Sequence, residues 1–197
     1  LVGTGIETDR LFTSVMTDHG KLGKSLADAV IQDKAVKVGI LSGNQSQLGM
    51  RQRLKSVKDN LAEAGIEISW ILSEKELDKK MRNVEYFTEN PVDAVISLEN
   101  DDTEKAVDII LNHDSISWKL YGEGRSEKLI YYLDKGTIQE LAVPNEYYMG
   151  YQSIVLAAQN IRYYTDKTER ADVEFYMVSK DNLYAEETSR ILFPTVR

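Results

Sequence analysis

The 197-residue chain contains no cysteine, three prolines and two histidines. Without cysteine it forms no disulfide, has no thiolate nucleophile and holds no metal ion through sulfur. Its 24 Lys and Arg residues are outnumbered by 32 Asp and Glu residues. No basic run supplies the clustered positive charge that binds nucleic acid without sequence preference. No apolar stretch approaches the roughly 20 residues that span a bilayer.

Familiar phosphate-binding and catalytic motifs are also absent. Gly43 and Gly49 are one position too far apart for a phosphate-binding loop, and Met50 stands where that loop needs lysine. No G-x-G-x-x-G segment and no G-x-S-x-G segment occurs. His19 and His113 are the only histidines, and a lone histidine is most often a surface or capping residue. The sequence therefore predicts no metal ion, no cofactor and no nucleophilic catalysis.

What the sequence does contain is a regular alternation of strand and helix patterns. Five short apolar runs, rich in β-branched or aromatic residues, are predicted as strands. They are residues 36–41, 66–72, 92–98, 117–121 and 137–143. Strands separated by single helices are usually parallel and covered on both faces. The alternation therefore predicts an α/β fold, a three-layer arrangement around a doubly wound parallel sheet.

Helix patterns fill the intervals between these strands. Apolar residues recur at steps of three and four from Met50 to Ala64, and Gly65 follows as a C-terminal cap. Capping signals at Ser73, Asp101 and Ser126 open three further helices. At the two ends of the chain we expect an extended stretch at 11–16, helices at 20–31 and 148–164, and a strand at 173–178. These end pieces need not join the central sheet.

A polar rim follows the predicted strands, and the carboxyl ends of parallel strands converge on one edge of a sheet. Asn, Asp and Arg side chains match the vicinal hydroxyls of a sugar, and aromatic rings cover its apolar faces. The acidic run 99–104 lacks the glycine and the spaced oxygens of a calcium loop. The rim therefore favours binding of a small polar ligand. Its segments are 42–46, 99–102, 122–125 and 144–146.

Arg53 lies one turn into the helix that follows the first of these strands. Two interpretations are open at this point. The guanidinium contacts a ligand at the rim, or it faces solvent and forms an i,i+4 ion pair on the helix surface.

Segments spread over nearly the whole chain resemble those of one known family, and they occur in the family's order. The chain is thereby similar to the type 1 periplasmic sugar-binding proteins, which share their fold with the ligand-binding domain of lac-repressor-like regulators. Its tail, KDNLYAEETSRILFPTVR, is similar to that of membrane-anchored, sugar-binding-like proteins that accompany bacterial sensor kinases. The other segments are TDHGKLGKSLADAVI, KVGILSGNQSQLGMRQRLKSV, DAVISLENDDTEKAVDII and LYGEGRSEKLIYYLDKGTIQELAVPNEYYMGYQSI.

This resemblance implies a periplasmic-binding-protein-like clamp of two lobes that closes on a small ligand by hinge motion. Residues 1–35 and 146–172 would belong to the N-terminal lobe, and residues 36–145 and 173–197 would form the C-terminal ligand-binding lobe. One lobe is then nearly complete and the other partial, because the start of the N-terminal lobe would lie upstream of this sequence.

The resemblance also implies ligand-binding roles for individual residues. Asp18 matches the family's hinge-side aspartate, Arg53 its ligand-gripping arginine and Asn100 its strand-end asparagine. His19 replaces the asparagine that usually follows the aspartate.

Two departures concern polar groups that often fix the sugar. Gly124 stands where sugar-binding members often carry aspartate, and Pro144 where they carry glutamine. We expect Glu123, Arg125 and Asn145 to substitute in part for these groups.

Several functions are left open. The first is an extracytoplasmic solute-binding protein of the bacterial envelope, which serves an ABC transporter permease or a sensor kinase and is anchored through a segment upstream of this sequence. The second is the effector-binding domain of a lac-repressor-like transcription regulator. An enzyme that uses the acidic rim for acid and base catalysis is the least supported. A domain that has lost its ligand and contacts another protein is also open.

Overall fold

A computed structural model describes residues 2–3, 13–163 and 170–193. Two short strands, β1 and β7, pair in parallel, and six other strands form one larger sheet. The strands are β1 Val15–Thr17, β2 Lys37–Leu41, β3 Glu67–Leu72, β4 Ala94–Ser97, β5 Lys119–Glu123, β6 Ile138–Pro144, β7 Ala171–Val173 and β8 Phe175–Ser179. The order in the larger sheet is β3-β2-β4-β5-β6-β8.

Helices connect these strands. They are α1 His19–Gln32, α2 Leu48–Glu63, α3 Glu74–Lys80, α4 Glu85–Glu89, α5 Asn100–Asn112, α6 Glu127–Lys135, α7 Glu146–Tyr163 and α8 Glu186–Leu192. Within the described residues no helix is long and apolar enough to cross a bilayer.

The predicted α/β fold with a doubly wound sheet is confirmed, and each of the five predicted strands coincides with an observed one within a few residues. Strands β2 to β6 all run parallel. The last strand differs, because β8 joins the sheet at its edge and runs antiparallel to β6. Between β6 and β8 the chain leaves the larger sheet through α7 and β7, which pack with β1, and it enters β8 directly from β7. The two strands are therefore not joined by the single crossover that keeps paired strands parallel.

Two apolar clusters cover the two faces of the larger sheet, which gives the three layers predicted from the sequence. One face packs on α1 and α2, and the other packs on the remaining helices from α3 to α6 and on α8. Alternate residues of one strand point to opposite clusters, as in Ile40 and Leu41 of β2. Trp70, Phe87 and Trp118 form an aromatic group on the second face, with ring centroids 5.0 to 5.9 Å apart.

Most of the predicted helix ends are confirmed. The Ser126 hydroxyl accepts a hydrogen bond from the Leu129 amide, and Gly136 ends the same helix with a left-handed φ of 80°. The prediction that Asp101 caps its helix is wrong. Helix α5 begins two residues earlier than that cap requires, so Glu99 occupies the cap position and Asp101 lies in the first turn.

Helices α1 and α2 approach each other closely at Gly23. A Cβ atom at this position would lie 2.5 Å from the carbonyl oxygen of Arg53. Such a separation is far below van der Waals contact, so a side chain at residue 23 would push α2 away. Gly23 therefore sets the position of the helix that carries Arg53.

Three single-residue crossovers join the small sheet region to the larger sheet. Asp18 links β1 to α1, Asn145 links β6 to α7, and Glu174 links β7 to β8. The Asn145 amide donates a hydrogen bond to the Glu174 carbonyl oxygen at 3.3 Å. The three crossovers are the positions at which hinge motion between two lobes would occur.

Helix α1 packs on α2 and on the larger sheet through Leu22, Leu26 and Val30. The helix lies within residues 1–35, which the family resemblance assigns to the N-terminal lobe. Its packing favours a lobe boundary at Asp18, and the division of the chain into two lobes stays a prediction.

The close approach of α1 and α2 is testable by adding one methyl group. We expect Gly23→Ala to lower the free energy of unfolding by about 1–3 kcal/mol through overpacking against α2. Gly150→Ala in α7 is the matched control, because its Cβ would meet no atom within 4 Å. Removing a helical glycine there should raise stability by about 0.5–1 kcal/mol. Equal effects of the two changes in urea unfolding would contradict the close contact.

Asp102 in the first turn of α5 is fully buried, and its Oδ2 atom has no hydrogen-bond partner among the described residues. Its Oδ1 atom lies 3.5 Å from Lys105 Nζ, which pairs more closely with Asp78 at 2.7 Å. Burial raises the pKa of Asp102 to about 6. The folded protein therefore keeps a proton that the unfolded chain releases near pH 4, so stability falls as pH rises between about 4 and 6.

We expect Asp102→Asn to raise the free energy of unfolding at pH 7 by about 1–2 kcal/mol, because the amide carries no buried charge. The variant should also lose part of the decline in stability between about pH 4 and 6. Asp101→Asn, in an exposed position of the same turn, serves as the control and should not stabilise the protein. A destabilised Asp102→Asn variant at pH 7 would contradict this account.

Candidate functional site

The order of the strands creates a crevice at the carboxyl end of the larger sheet. Strand β2 lies between β3 and β4. The chain therefore passes from β2 to β3 on one side of β2 and then to β4 on the other side. Helix α2, which follows β2, covers one face of the sheet, and α5, which follows β4, covers the other. The loops after β2 and β4 therefore diverge, and ligands of open α/β sheets bind at such switch points.

Arg53 projects from α2 into this crevice and is only 4% exposed. Its Nη1 atom donates to the Leu98 carbonyl oxygen at 2.6 Å and lies 3.3 Å from Glu123 Oε2. Its Nε atom donates to His19 Nδ1 at 3.1 Å. The guanidinium thus connects two helices with the ends of two strands. The interpretation of Arg53 as a solvent-facing helical charge is wrong.

His19 opens α1 and holds the other side of Arg53. Because His19 Nδ1 accepts from Arg53, the ring proton resides on Nε2, which lies 3.1 Å from the Gly3 carbonyl oxygen. Burial, and then the positive charge of Arg53, lower the pKa of His19 to about 4. The ring is therefore neutral at physiological pH. Gly49 makes room for it, since a Cβ there would lie 2.5 Å from His19 Nε2.

Glu123, at the end of β5, balances the charge of Arg53. Its side chain is 13% exposed. Burial raises the pKa of Glu123, and the charge of Arg53 acts in the opposite direction. The ion pair fixes the guanidinium in the crevice, since breaking a buried pair leaves an uncompensated charge.

The crevice forms a hollow of about 380 Å³, which we name the Arg53 hollow. Among its lining residues one guanidinium, that of Arg53, faces four carboxylates, those of Glu99, Asp101, Glu123 and Glu146. This excess of negative charge opposes a phosphate or another anionic ligand. The remaining lining residues are Val2, Gly3, His19, Gln47, Gly49, Met50 and Asn100.

A larger hollow of about 1030 Å³ adjoins the first one, and we name it the Tyr131 hollow. Asn100, Glu123 and Glu146 line both hollows. The Asn100 carboxamide accepts from the Arg125 amide at 3.2 Å and donates to Glu104 at 3.2 Å.

Arg125 lines the Tyr131 hollow but not the Arg53 hollow. Its Nε atom donates to Glu146 Oε2 at 2.9 Å, and its Nη1 atom donates to the Ile191 carbonyl oxygen at 3.3 Å. Gly124 precedes it with a φ of 141°, and a Cβ there would lie 2.5 Å from the Asn100 carboxamide oxygen. The backbone of this loop therefore excludes an aspartate at residue 124.

The structure brings Arg53, Asn100 and Glu123 together, but it does not bring Asp18 or Asn145 to either hollow. The Asp18 carboxylate accepts from the Lys21 amide and caps α1, while the Asn145 carboxamide accepts from the Tyr148 amide at the start of α7. Asp18 lines a separate hollow of about 460 Å³, the Asp18 hollow, beside α1 and α2. Ligand contact by the six residues named from the sequence stays a prediction.

The loop after β2 contributes less to the site than its polar composition suggests. Gln47 is its one member among the described lining residues of the Arg53 hollow. Gly43 takes a left-handed φ of 63°, and the Asn44 amide donates to Glu99 Oε2 at 3.1 Å. The loop therefore serves mainly to fix Glu99 at the rim.

The residue pattern alone did not identify His19 as a site residue, and it left Arg53 between two interpretations, of which the family resemblance favoured ligand contact. The expectation that a lone histidine is a surface or capping residue is wrong for His19, which is 4% exposed and accepts a hydrogen bond from Arg53. For Arg53 a signal was present, because it falls three residues after Met50 and four before Val57, both buried on α2. The same kind of signal was present for His19, which falls three residues before Leu22 and seven before Leu26, both buried on α1.

Residues 3–164 match the family model described as a periplasmic binding protein domain. The chain therefore belongs to this family, which is one of binding proteins. No curated protein sequence matches the chain.

Solved structures show the same fold at low identity. A carbohydrate transporter solute-binding protein from Agrobacterium radiobacter, in complex with D-arabinose, has a TM-score of 0.85 and 19% identity, covering 96% of this chain and 68% of its own. A Caulobacter myo-inositol-binding protein bound to myo-inositol has a TM-score of 0.81 and 20% identity, covering 96% and 67%. A LacI transcriptional regulator from Bacteroides fragilis, described as putative, has a TM-score of 0.78 and 14% identity, covering 91% and 66%. The chain thus spans about two thirds of the length of these structures.

The buried state of His19 is testable by NMR in a His113→Gln variant, which leaves His19 as the single histidine. We expect its imidazole to titrate with a midpoint near pH 4. The unfolded chain takes up this proton near pH 6.5, so stability should fall as pH drops from about 6.5 towards 4. A midpoint near 6.5 would show that His19 is not held against Arg53.

Proposed function

We propose that the chain is an extracytoplasmic solute-binding domain that binds a small polar ligand, a sugar or polyol, at the Arg53 hollow. Family membership implies the extracytoplasmic location. The domain would hand its ligand to an ABC transporter permease or report it to a sensor kinase. Anchoring to the membrane through an upstream segment is part of the same proposal.

One observation carries this proposal: the buried, fully oriented guanidinium of Arg53 at the switch point of the sheet. His19, the Leu98 carbonyl and Glu123 engage the Nε and Nη1 atoms of Arg53 and orient its guanidinium. A preorganised donor of this kind costs little entropy to engage, and its planar N–H groups match adjacent hydroxyl oxygens. The excess of carboxylates around it supports a neutral, hydroxyl-bearing ligand over an anionic one.

A second candidate is the effector-binding domain of a LacI-like regulator. Its support is the likeness to the Bacteroides fragilis regulator structure. The sequence upstream of this chain distinguishes the two. A hydrophobic anchor or signal peptide favours solute binding, and a helix-turn-helix favours regulation.

We expect the complete protein to be stabilised by a sugar or polyol in a thermal-shift screen that includes D-arabinose and myo-inositol. A bound ligand raises stability by RT ln(1 + [L]/Kd), which is about 2.7 kcal/mol at a hundredfold excess over Kd. The absence of any stabilising sugar, polyol or nucleoside would count against the proposal. Stabilisation by another protein alone would favour a domain that only contacts a partner.

Arg53→Lys tests the proposed contact residue. We expect it to weaken ligand binding by about 2 kcal/mol, roughly thirtyfold in Kd, because lysine keeps the charge but loses the planar donor array. Arg51→Lys is the matched control, since Arg51 is exposed on the same helix and lies outside the Arg53 hollow. Equal Kd values for the Arg53→Lys variant and the unaltered protein, by titration calorimetry, would remove Arg53 from the site.

The proposal also includes binding without turnover. The raised pKa of Glu123 is a property that catalytic acids share, so this part needs its own test. We expect no release of 4-nitrophenol from 4-nitrophenyl glycosides above the rate in buffer. Release that a Glu123→Gln change abolishes would show that the site is catalytic.

A further inference from the structure

The Tyr131 hollow is not explained by the binding of a sugar ring at Arg53. Its volume of about 1030 Å³ is well above the 380 Å³ of the Arg53 hollow. Pockets of drug-sized ligands span about 300–1,000 Å³. The Arg53 hollow lies at the lower end of this range and suits a small ligand, whereas the Tyr131 hollow is larger than such a ligand needs. The two hollows adjoin, because Asn100, Glu123 and Glu146 line both of them.

The polar groups of the Tyr131 hollow are largely engaged within the protein. The Arg125 guanidinium bonds to Glu146 and to the Ile191 carbonyl. The Asp134 carboxylate accepts from the Tyr184 hydroxyl. Arg53 is held in the same way, so these polar groups do not distinguish the two hollows, and the difference lies in the exposed apolar surface.

The exposed surface of this hollow includes an apolar part, although the Tyr131 ring also contacts Tyr132 and Lys135. Four apolar or aromatic side chains of α6 and of the end of α8 line it, namely Ile130, Tyr131, Leu192 and Phe193. Tyr131 is 54% exposed and Phe193 is 45% exposed. At the border with the Arg53 hollow, Pro144 offers no backbone N–H. Covering such a surface is favourable for an apolar group and unfavourable for a second sugar ring with unpaired hydroxyls.

We infer that the ligand is amphipathic, with a polyhydroxylated group in the Arg53 hollow joined to an apolar or aromatic substituent that lies in the Tyr131 hollow between α6 and α8. This inference rests on the proposed function and narrows its ligand class from a free sugar to a substituted one, such as a glycoside with an apolar aglycone.

The test compares ligands that differ only in the substituent. Calorimetric titrations of the complete protein would use free D-arabinose, D-glucose and D-galactose, their methyl glycosides and their 4-nitrophenyl glycosides. We expect the Kd of the 4-nitrophenyl glycoside to be about tenfold or more below that of the methyl glycoside of the same sugar, because the ring buries apolar surface. Octyl glycosides should show a similar gain.

Two variants test whether the gain in affinity of the 4-nitrophenyl glycoside arises in the Tyr131 hollow. Tyr131→Ser and Phe193→Ser alter exposed side chains, and each should reduce the advantage of the 4-nitrophenyl glycoside several-fold while leaving the Kd of the methyl glycoside unchanged. Tyr147→Ser is the matched control, because Tyr147 is 76% exposed on α7 and lies outside both hollows. It should change neither Kd.

The outcomes separate this inference from the proposed function. Methyl and 4-nitrophenyl glycosides that bind equally would overturn the inference and leave sugar binding intact. A gain that survives both serine substitutions would also overturn it, because the substituent would then lie elsewhere. If no sugar or glycoside binds, the proposed function fails and the inference fails with it.

Discussion

The buried ion pair between Arg53 and Glu123 is the constraint on which the site depends. A guanidinium that is almost wholly removed from water must have its charge and its donors satisfied. Glu123 supplies the charge, while His19 and the Leu98 carbonyl accept hydrogen bonds. These partners come from the start of α1 and from the ends of β4 and β5, so one side chain ties together the elements that converge at the crevice.

Backbone packing makes this arrangement possible. Gly23 lets α1 approach the backbone of Arg53, and Gly49 leaves room for the imidazole of His19. The neutral state of His19 follows from its burial, and neutrality allows its Nδ1 atom to accept from the arginine. The two glycines therefore shape the site through the packing of α1 against α2. They position a donor that a small polyhydroxylated molecule would meet already oriented.

The fold was largely predictable from sequence, because strand runs, helix periodicity and caps such as Ser126 and Gly136 are local signals. The site was predictable only in part. Asn100 follows from its place after a parallel strand, whereas for Arg53 the family resemblance decided between two interpretations that the residue pattern left open. Asp18 and Asn145 occupy equally polar positions but cap helices at crossovers, and sequence does not reveal which way a side chain turns at such a point. The spacing of His19 to Leu22 and Leu26 indicates its burial, but its pairing with Arg53 and the antiparallel direction of β8 depend on long-range packing, which leaves no local pattern.

The most direct measurement is a crystal structure of the complete protein with a stabilising sugar or polyol bound. The account predicts ligand hydroxyls within hydrogen-bond distance of the Arg53 guanidinium and the Asn100 carboxamide, with the Glu123 ion pair retained. A ligand bound in the Asp18 hollow, with the Arg53 hollow filled by water, would contradict it.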